Sequence, residues 1–195
     1  TVHTAMTISI ISGILLTIIG MIFAPMILSM MQTPPEVLSL ATVYLRVYFA
    51  GMTAMMIYNF GAAILRAVGD TKRPLYFLII SGIVNVGLNL IFVIVFKWSV
   101  FGVGLATTIS QVISAFLVIR CLMKDESGIR LDLKALGINR DKLLKILQIG
   151  LPAGFQGILF SLANVFIQSS VNSFGKTVIA GNSASANIEG FVYVA

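Results

Sequence analysis

A bundle of membrane-crossing α-helices is the fold class this sequence predicts, and three observations predict it. Of 195 residues, 58% are hydrophobic and 10% charged, whereas a water-soluble domain carries about 25% charged residues. Mean hydropathy is +1.01. The apolar residues fall in six long runs, and roughly 20 apolar residues suffice to cross the hydrocarbon core of a bilayer. So many uncharged runs in succession leave no protein to bury them in water. The expectation is an all-α, polytopic bundle of about six spans.

The runs follow in order. Residues 5–31 carry no charge and hold Pro25 near their end. Residues 40–65 are interrupted only by Arg46, and 74–96 and 98–119 are uncharged. A polar stretch, 120–145, precedes 146–175, again without charge. The last run, 177–195, carries one acid, Glu189.

Lys and Arg set the expected orientation, because cytoplasmic loops gather them. One basic connection holds Arg66, Lys72 and Arg73, and the other holds Arg120, Lys124, Arg130, Lys134, Arg140, Lys142 and Lys145. The intervening connections have none in 32–39, then Lys97, then Lys176. Rich and poor connections alternate, so loops 66–73 and 120–145 are expected in the cytoplasm, where the first run also starts. Segments 131–137 and 141–147 look amphipathic, and one or both are expected on the inner membrane surface. The expected organisation is a first set of helices over 1–123, a cytoplasmic linker over 124–145, and a second set over 146–195 that is cut short.

Several classes of activity find no footing. The formal net charge is +6, but the cations lie in two short segments rather than on an aromatic-interleaved stripe, so nucleic acid is not an expected partner. One cysteine, Cys121, and one histidine, His3, offer neither a disulfide framework nor a metal cluster. No phosphate loop, zinc-protease helix or nucleophile elbow is present. An enzyme is not expected.

Polar side chains inside hydrocarbon are costly and turn towards a bundle interior or a cavity. Asn85 and Asn89 lie four residues apart, on one helix face. The next run offers Thr107, Thr108, Ser110 and Gln111. Gln156, Asn164 and Gln168 recur at multiples of four, and the last run gathers Asn182, Ser183, Ser185, Asn187 and Glu189. These groups either glue helices together or line a path. A carboxylate within a span, as at Glu189, is a candidate proton carrier. Gly102, Gly104, Gly150, Gly154, Gly157 and Gly181 mark expected close contacts or bends, and Pro152 an expected kink.

The segment from Gly61 through Leu65-Arg66-Ala67-Val68-Gly69-Asp70-Thr71 to Pro74 resembles a cytoplasmic turn of the multidrug and toxic compound extrusion (MATE) family. Gly69-Asp70 suits a tight reversal, and Pro74 suits the first turn of a helix. Asn85-Val-Gly-Leu-Asn89 looks like that family's fifth span, Gly102-Val-Gly-Leu-Ala-Thr107-Thr-Ile-Ser110 its sixth, and Ile149-Gly-Leu-Pro-Ala-Gly154 the start of its seventh. The resemblance implies that the six runs correspond to spans three through eight of twelve. It implies a two-lobed secondary antiporter in a bacterial plasma membrane, exporting organic cations or amphipathic compounds against protons or sodium. No cofactor beyond that coupling ion is implied. The remainder of the same polypeptide would complete a monomer, and this stretch by itself is expected to be inactive.

Position by position, Asn85 matches part of the family's first-lobe cation site, Asn89 a position that is often acidic, and Thr107 a hydroxyl close by. In one branch the seventh span has a carboxylate eight residues after its proline; Phe160 stands there. The coupling carboxylate is then Glu189 or an acid in the family's first span. Gln156, Asn164, Gln168 and Asn187 are expected to line the substrate cleft, and Arg66, Gly69, Asp70, Thr71 and Pro74 to form the structural turn. Two other readings remain: a flippase for lipid-linked precursors in the same superfamily, and a membrane scaffold subunit that transports nothing.

Overall fold

Apolar runs become helices in the structure, a computed structural model that describes residues 1–30, 35–125, 128–173, 181–182, 185–186 and 189. Six helices are described: α1 (Val2–Met30), α2 (Pro35–Ala50), α3 (Met52–Ala67), α4 (Lys72–Leu90), α5 (Ser99–Lys124) and α6 (Arg140–Ser173). Lipid supplies no partners for backbone N–H and C=O groups, so a crossing segment has to satisfy its own, and helices do so. α1, α4, α5 and the first part of α6 are each long and apolar enough to cross a membrane. The outward faces are apolar, with Ile83, Ile149 and Phe166 each at least 69% exposed. Most of the sixth expected span, 177–195, lies outside the described residues.

Two compact units divide at Leu143 and Leu144. In the first unit, α5 packs against α2, α3 and α4, and α1 against α2 and α3. Small residues let these helices approach, as expected where van der Waals packing rather than hydrophobic exclusion joins them. A Cβ on Gly61 would come 2.7 Å from Val118 Cγ2, and one on Gly13 2.7 Å from Thr53 Cα. Thr17 and Thr53 hydroxyls meet at 3.2 Å across the α1–α3 contact. Of the expected glycine contacts, Gly102 lies against Phe92 and Gly104 against Val47, whereas Gly150, Gly154, Gly157 and Gly181 have no such neighbour among the described residues.

The second run, expected as one crossing, is a bent pair of helices that together are long and apolar enough for a span. It breaks at Gly51, where α2 and α3 bend by 43°. The break lets α5 approach: a Cβ on Gly51 would sit 3.3 Å from Thr108 Cα. Gly51 N–H bonds the Tyr48 carbonyl at 3.1 Å, one residue short of helical pairing, so the Val47 carbonyl is left over. Thr108 Oγ1 of α5 donates to that carbonyl at 2.8 Å. A side chain of a neighbouring helix thus repairs the ladder.

The turn between α3 and α4 follows from its residues. Asp70 N–H reaches back to the Leu65 carbonyl and Gly69 N–H to that of Arg66, both at 3.0 Å. This pairing is the Schellman helix ending, which needs a left-handed residue; Gly69 supplies it at φ +87°. Asp70 Oδ1 then accepts the Arg73 N–H at 3.1 Å, covering a free donor at the start of α4. Pro74 is buried in the first turn of α4, and its carbonyl accepts Tyr58 O–H at 3.0 Å. At its far end α4 runs into a wider turn, Ile91–Val95. Phe92, Phe96, Trp98 and Phe101 cluster there, as aromatic side chains do at a membrane interface.

The polar stretch after α5 is not a pair of surface helices. Residues 131–137 contain one short turn, Leu133–Ala135, and 141–147 belong to the beginning of α6. The reason is tertiary. Ile129 and Leu131 are buried with Met6, Leu65 and Leu122, and the backbone is tied down by Leu131 N–H to the Leu122 carbonyl at 3.0 Å. Asp132 N–H donates to His3 Nε2 at 3.1 Å, and Asn139 N–H to Thr4 Oγ1 at 3.3 Å.

The second unit, Leu144–Ala195, contains the greater part of α6. α6 is 34 residues long, about 51 Å at 1.5 Å per residue, and contains Pro152 without ending there.

Candidate functional site

Midway along α4 and α5, four polar side chains form a directed chain. Ser110 Oγ donates to the Ala106 carbonyl at 2.7 Å, and Thr107 Oγ1 to the Val103 carbonyl at 3.0 Å. Each hydroxyl has one proton, and in this way spends it on its own helix. Both hydroxyl oxygens then face Asn85, whose Nδ2 donates to Ser110 Oγ at 3.0 Å and lies 3.5 Å from Thr107 Oγ1. With its amide nitrogen so engaged, Asn85 turns Oδ1 towards Asn89, which donates from Nδ2 at 3.0 Å. Reversing the Asn89 amide would press two carbonyl oxygens together. Asn89 Oδ1 is therefore fixed at the end of the chain, buried and without a hydrogen-bond partner among the described residues.

Beside this chain lies a cavity of about 290 Å³, lined by Leu78, Ser81, Gly82, Asn85, Thr107, Ser110 and Gln111. Chemically the arrangement offers uncharged oxygens in a setting of low polarity. An unpaired buried carbonyl oxygen costs about 1–3 kcal/mol, and a hydrogen-bond donor or a hard cation would relieve that cost. None of these side chains titrates near neutral pH.

The structure thus brings Asn85, Asn89 and Thr107 together. It adds Ser110, which spacing alone could have supplied, since it follows Thr107 by three residues on the same face. Thr108, one residue from Thr107, faces elsewhere and serves the break at Gly51. Of the expected cleft residues, Gln156 and Asn164 are exposed on α6, eight residues apart and on one face. Gln168 lies on α6 with its side chain outside the described residues, and Asn187 lies outside them altogether. Glu189 is exposed in the second unit.

The turn residues form a separate constellation. Arg66 ends α3, and Thr71 occupies the capping position of α4 without a side-chain bond. Asp70 does the capping instead. Arg73 was not anticipated as part of it. Its Nε meets Asp70 Oδ2 at 2.9 Å, and its Nη1 meets Asp125 Oδ2 at 2.7 Å. Arg73 thereby clasps the α3–α4 turn to the end of α5. Asp125 is 52 residues away in sequence, too far for local spacing to reveal the pair.

Comparison with known proteins shows what this chain is similar to. The MatE family model matches residues 1–91. Over 198 aligned residues the chain is 29% identical to the probable multidrug resistance protein YoeA of Bacillus subtilis (strain 168), covering 98% of this chain and 43% of that protein. It is 30% identical over 177 residues to the probable multidrug resistance protein YpnP of the same organism, covering 89% and 38%. A solved multidrug resistance MATE family transporter in its outward-facing conformation superposes with a TM-score of 0.85 at 26% identity, covering 95% of this chain and 42% of that one. The chain spans about two fifths of the length of these proteins. In its helices, its turn and these likenesses, the chain is similar to transporters of the MATE family.

Proposed function

We infer that this chain contributes the cation-binding part of a secondary antiporter that exports organic cations or amphipathic compounds in exchange for protons or sodium. The observation that carries the reading is the buried Asn89 Oδ1, without a hydrogen-bond partner among the described residues, at the end of a chain whose Asn85, Thr107 and Ser110 line a cavity. A sodium ion takes oxygen ligands, and Asn89 Oδ1 with Thr107 Oγ1 would be among them. Cation binding has to favour one orientation of the transporter and substrate the other, or neither could drive its partner.

Amides neither gain nor lose a proton near neutral pH. Coupling to protons therefore requires a carboxylate, and among the candidate residues Glu189 is the one available. This divides the two driving ions between two residues. In the complete protein reconstituted in vesicles, Asn89→Leu is expected to abolish sodium-driven dye efflux, and Glu189→Gln to abolish proton-driven efflux. Full transport by both variants under both imposed gradients would remove this site from the mechanism.

A further inference from the structure

On the other side of the α4–α5 seam is a second groove, of about 420 Å³, that the transport reading does not use. Tyr76 lines it, and Tyr76 and Asn85 are nine residues, or two and a half helical turns, apart on α4, hence on opposite faces. The groove lies where the beginning of α4 meets the end of α5, with Tyr76, Phe77 and Leu117 as its apolar walls and Arg73, Arg120 and Lys124 around it.

These cations differ in their partners. Arg73 is held by Asp70 and Asp125. Among the described residues, Arg120 and Lys124, one turn apart on α5 and exposed, form no ion pair, and no carboxylate lines the groove. Towards the middle of the helices the same faces continue with apolar residues: Ile80 and Val84 at four-residue steps from Tyr76, Ile113 four before Leu117, and Phe116 four before Arg120. The groove is cationic at the helix ends and apolar below.

The geometry points to an anionic phospholipid as its occupant, with the headgroup phosphate between Arg120 and Lys124 and an acyl chain along Tyr76, Phe77 and Leu117. A free phosphate would engage the cations alone and leave the apolar walls without a role, and an organic cation would be repelled by the exposed Arg120 and Lys124. Basic pockets between helices at a membrane surface take acidic headgroups for the same reasons. The site is separate from the amide chain, and its test involves no transport.

Cys121 lines the groove, so occupancy can be read at the site itself. The complete protein is placed in nanodiscs of phosphatidylcholine, with or without phosphatidylglycerol, and maleimide labelling of the Cys121 peptide is followed by mass spectrometry. Phosphatidylglycerol is expected to slow labelling about tenfold. The charge-neutral pair Arg120→Gln and Lys124→Gln should erase that protection, while the charge-keeping pair Arg120→Lys and Lys124→Arg should retain it and show that the fold tolerates change there. Equal labelling rates in the two lipids would overturn the proposal, as would protection that survives in the neutral pair. Equal protection by millimolar inorganic phosphate in phosphatidylcholine would also overturn it, by revealing a plain anion site.

Discussion

α4 and α5 are neighbours, each long and apolar enough to cross a membrane, yet they are held in different ways. Of the most apolar stretch of α5, 39% is buried, against 6% for α4. The packed helix presents Gly102, Gly104, Ala106, Ser110, Ser114 and Ala115 to its neighbours, and its fit depends on the absence of side-chain volume. The edge helix buries only Pro74 and Ser81. Polar bonds hold it: Tyr58 to the Pro74 carbonyl, Arg73 to Asp125, and Asn85 to Ser110. Burying apolar surface does little to join helices already in lipid. Close packing therefore serves a central helix, and a few directional bonds serve a peripheral one. A helix held by few bonds is also the easier one to shift.

Substitutions in the complete protein can break or sharpen this contrast, with stability read by unfolding in detergent. The largest effect is expected at Gly61→Val, which drives new atoms into Val118 and should cost about 3 kcal/mol. Val118→Ala in the same chain should recover much of that loss, and no recovery would mean the α3–α5 fit is not what sets the cost. Thr108→Val keeps the shape but leaves the Val47 carbonyl unpaired, for about 2 kcal/mol. Gly69→Ala should cost about 1 kcal/mol, because the turn needs a left-handed residue.

The edge helix should be more forgiving. Tyr58→Phe removes one bond to the α4 backbone, for about 1 kcal/mol. Ser110→Ala should cost about 0.6 kcal/mol, the size typical of a polar contact between helices in lipid. If these last two proved more damaging than Gly61→Val, the assignment of packed and peripheral helices would be reversed.

Much of this was legible in the sequence because it is local. Charge-free runs gave the helices, Gly69 the reversal and Pro74 the start of α4, each within a few residues of its cause. Asn85 and Asn89 were placed together by their four-residue spacing alone. What escaped depends on distant partners. The 43° bend at Gly51 escaped because the side chain that covers its spare carbonyl, Thr108, comes from 61 residues away. Arg73 looked like one of several loop cations until Asp125 arrived from the other end of α5. Segment 131–137 looked amphipathic because Leu131 is apolar among charges, but that leucine is buried beneath α1 and α3 rather than resting on lipid.

The joint between α2 and α3 carries an energetic corollary. Straightened, Gly51 N–H would return to the Val47 carbonyl, and the Thr108 hydroxyl could fold back onto the carbonyl of Gly104, one turn earlier on its own helix. The Val47 carbonyl and the Thr108 hydroxyl are thus paired in the bent and the straight form alike. Neither group fixes the joint, and the choice between the forms falls to the rest of the ladder, to side-chain fit and to whatever presses on either half.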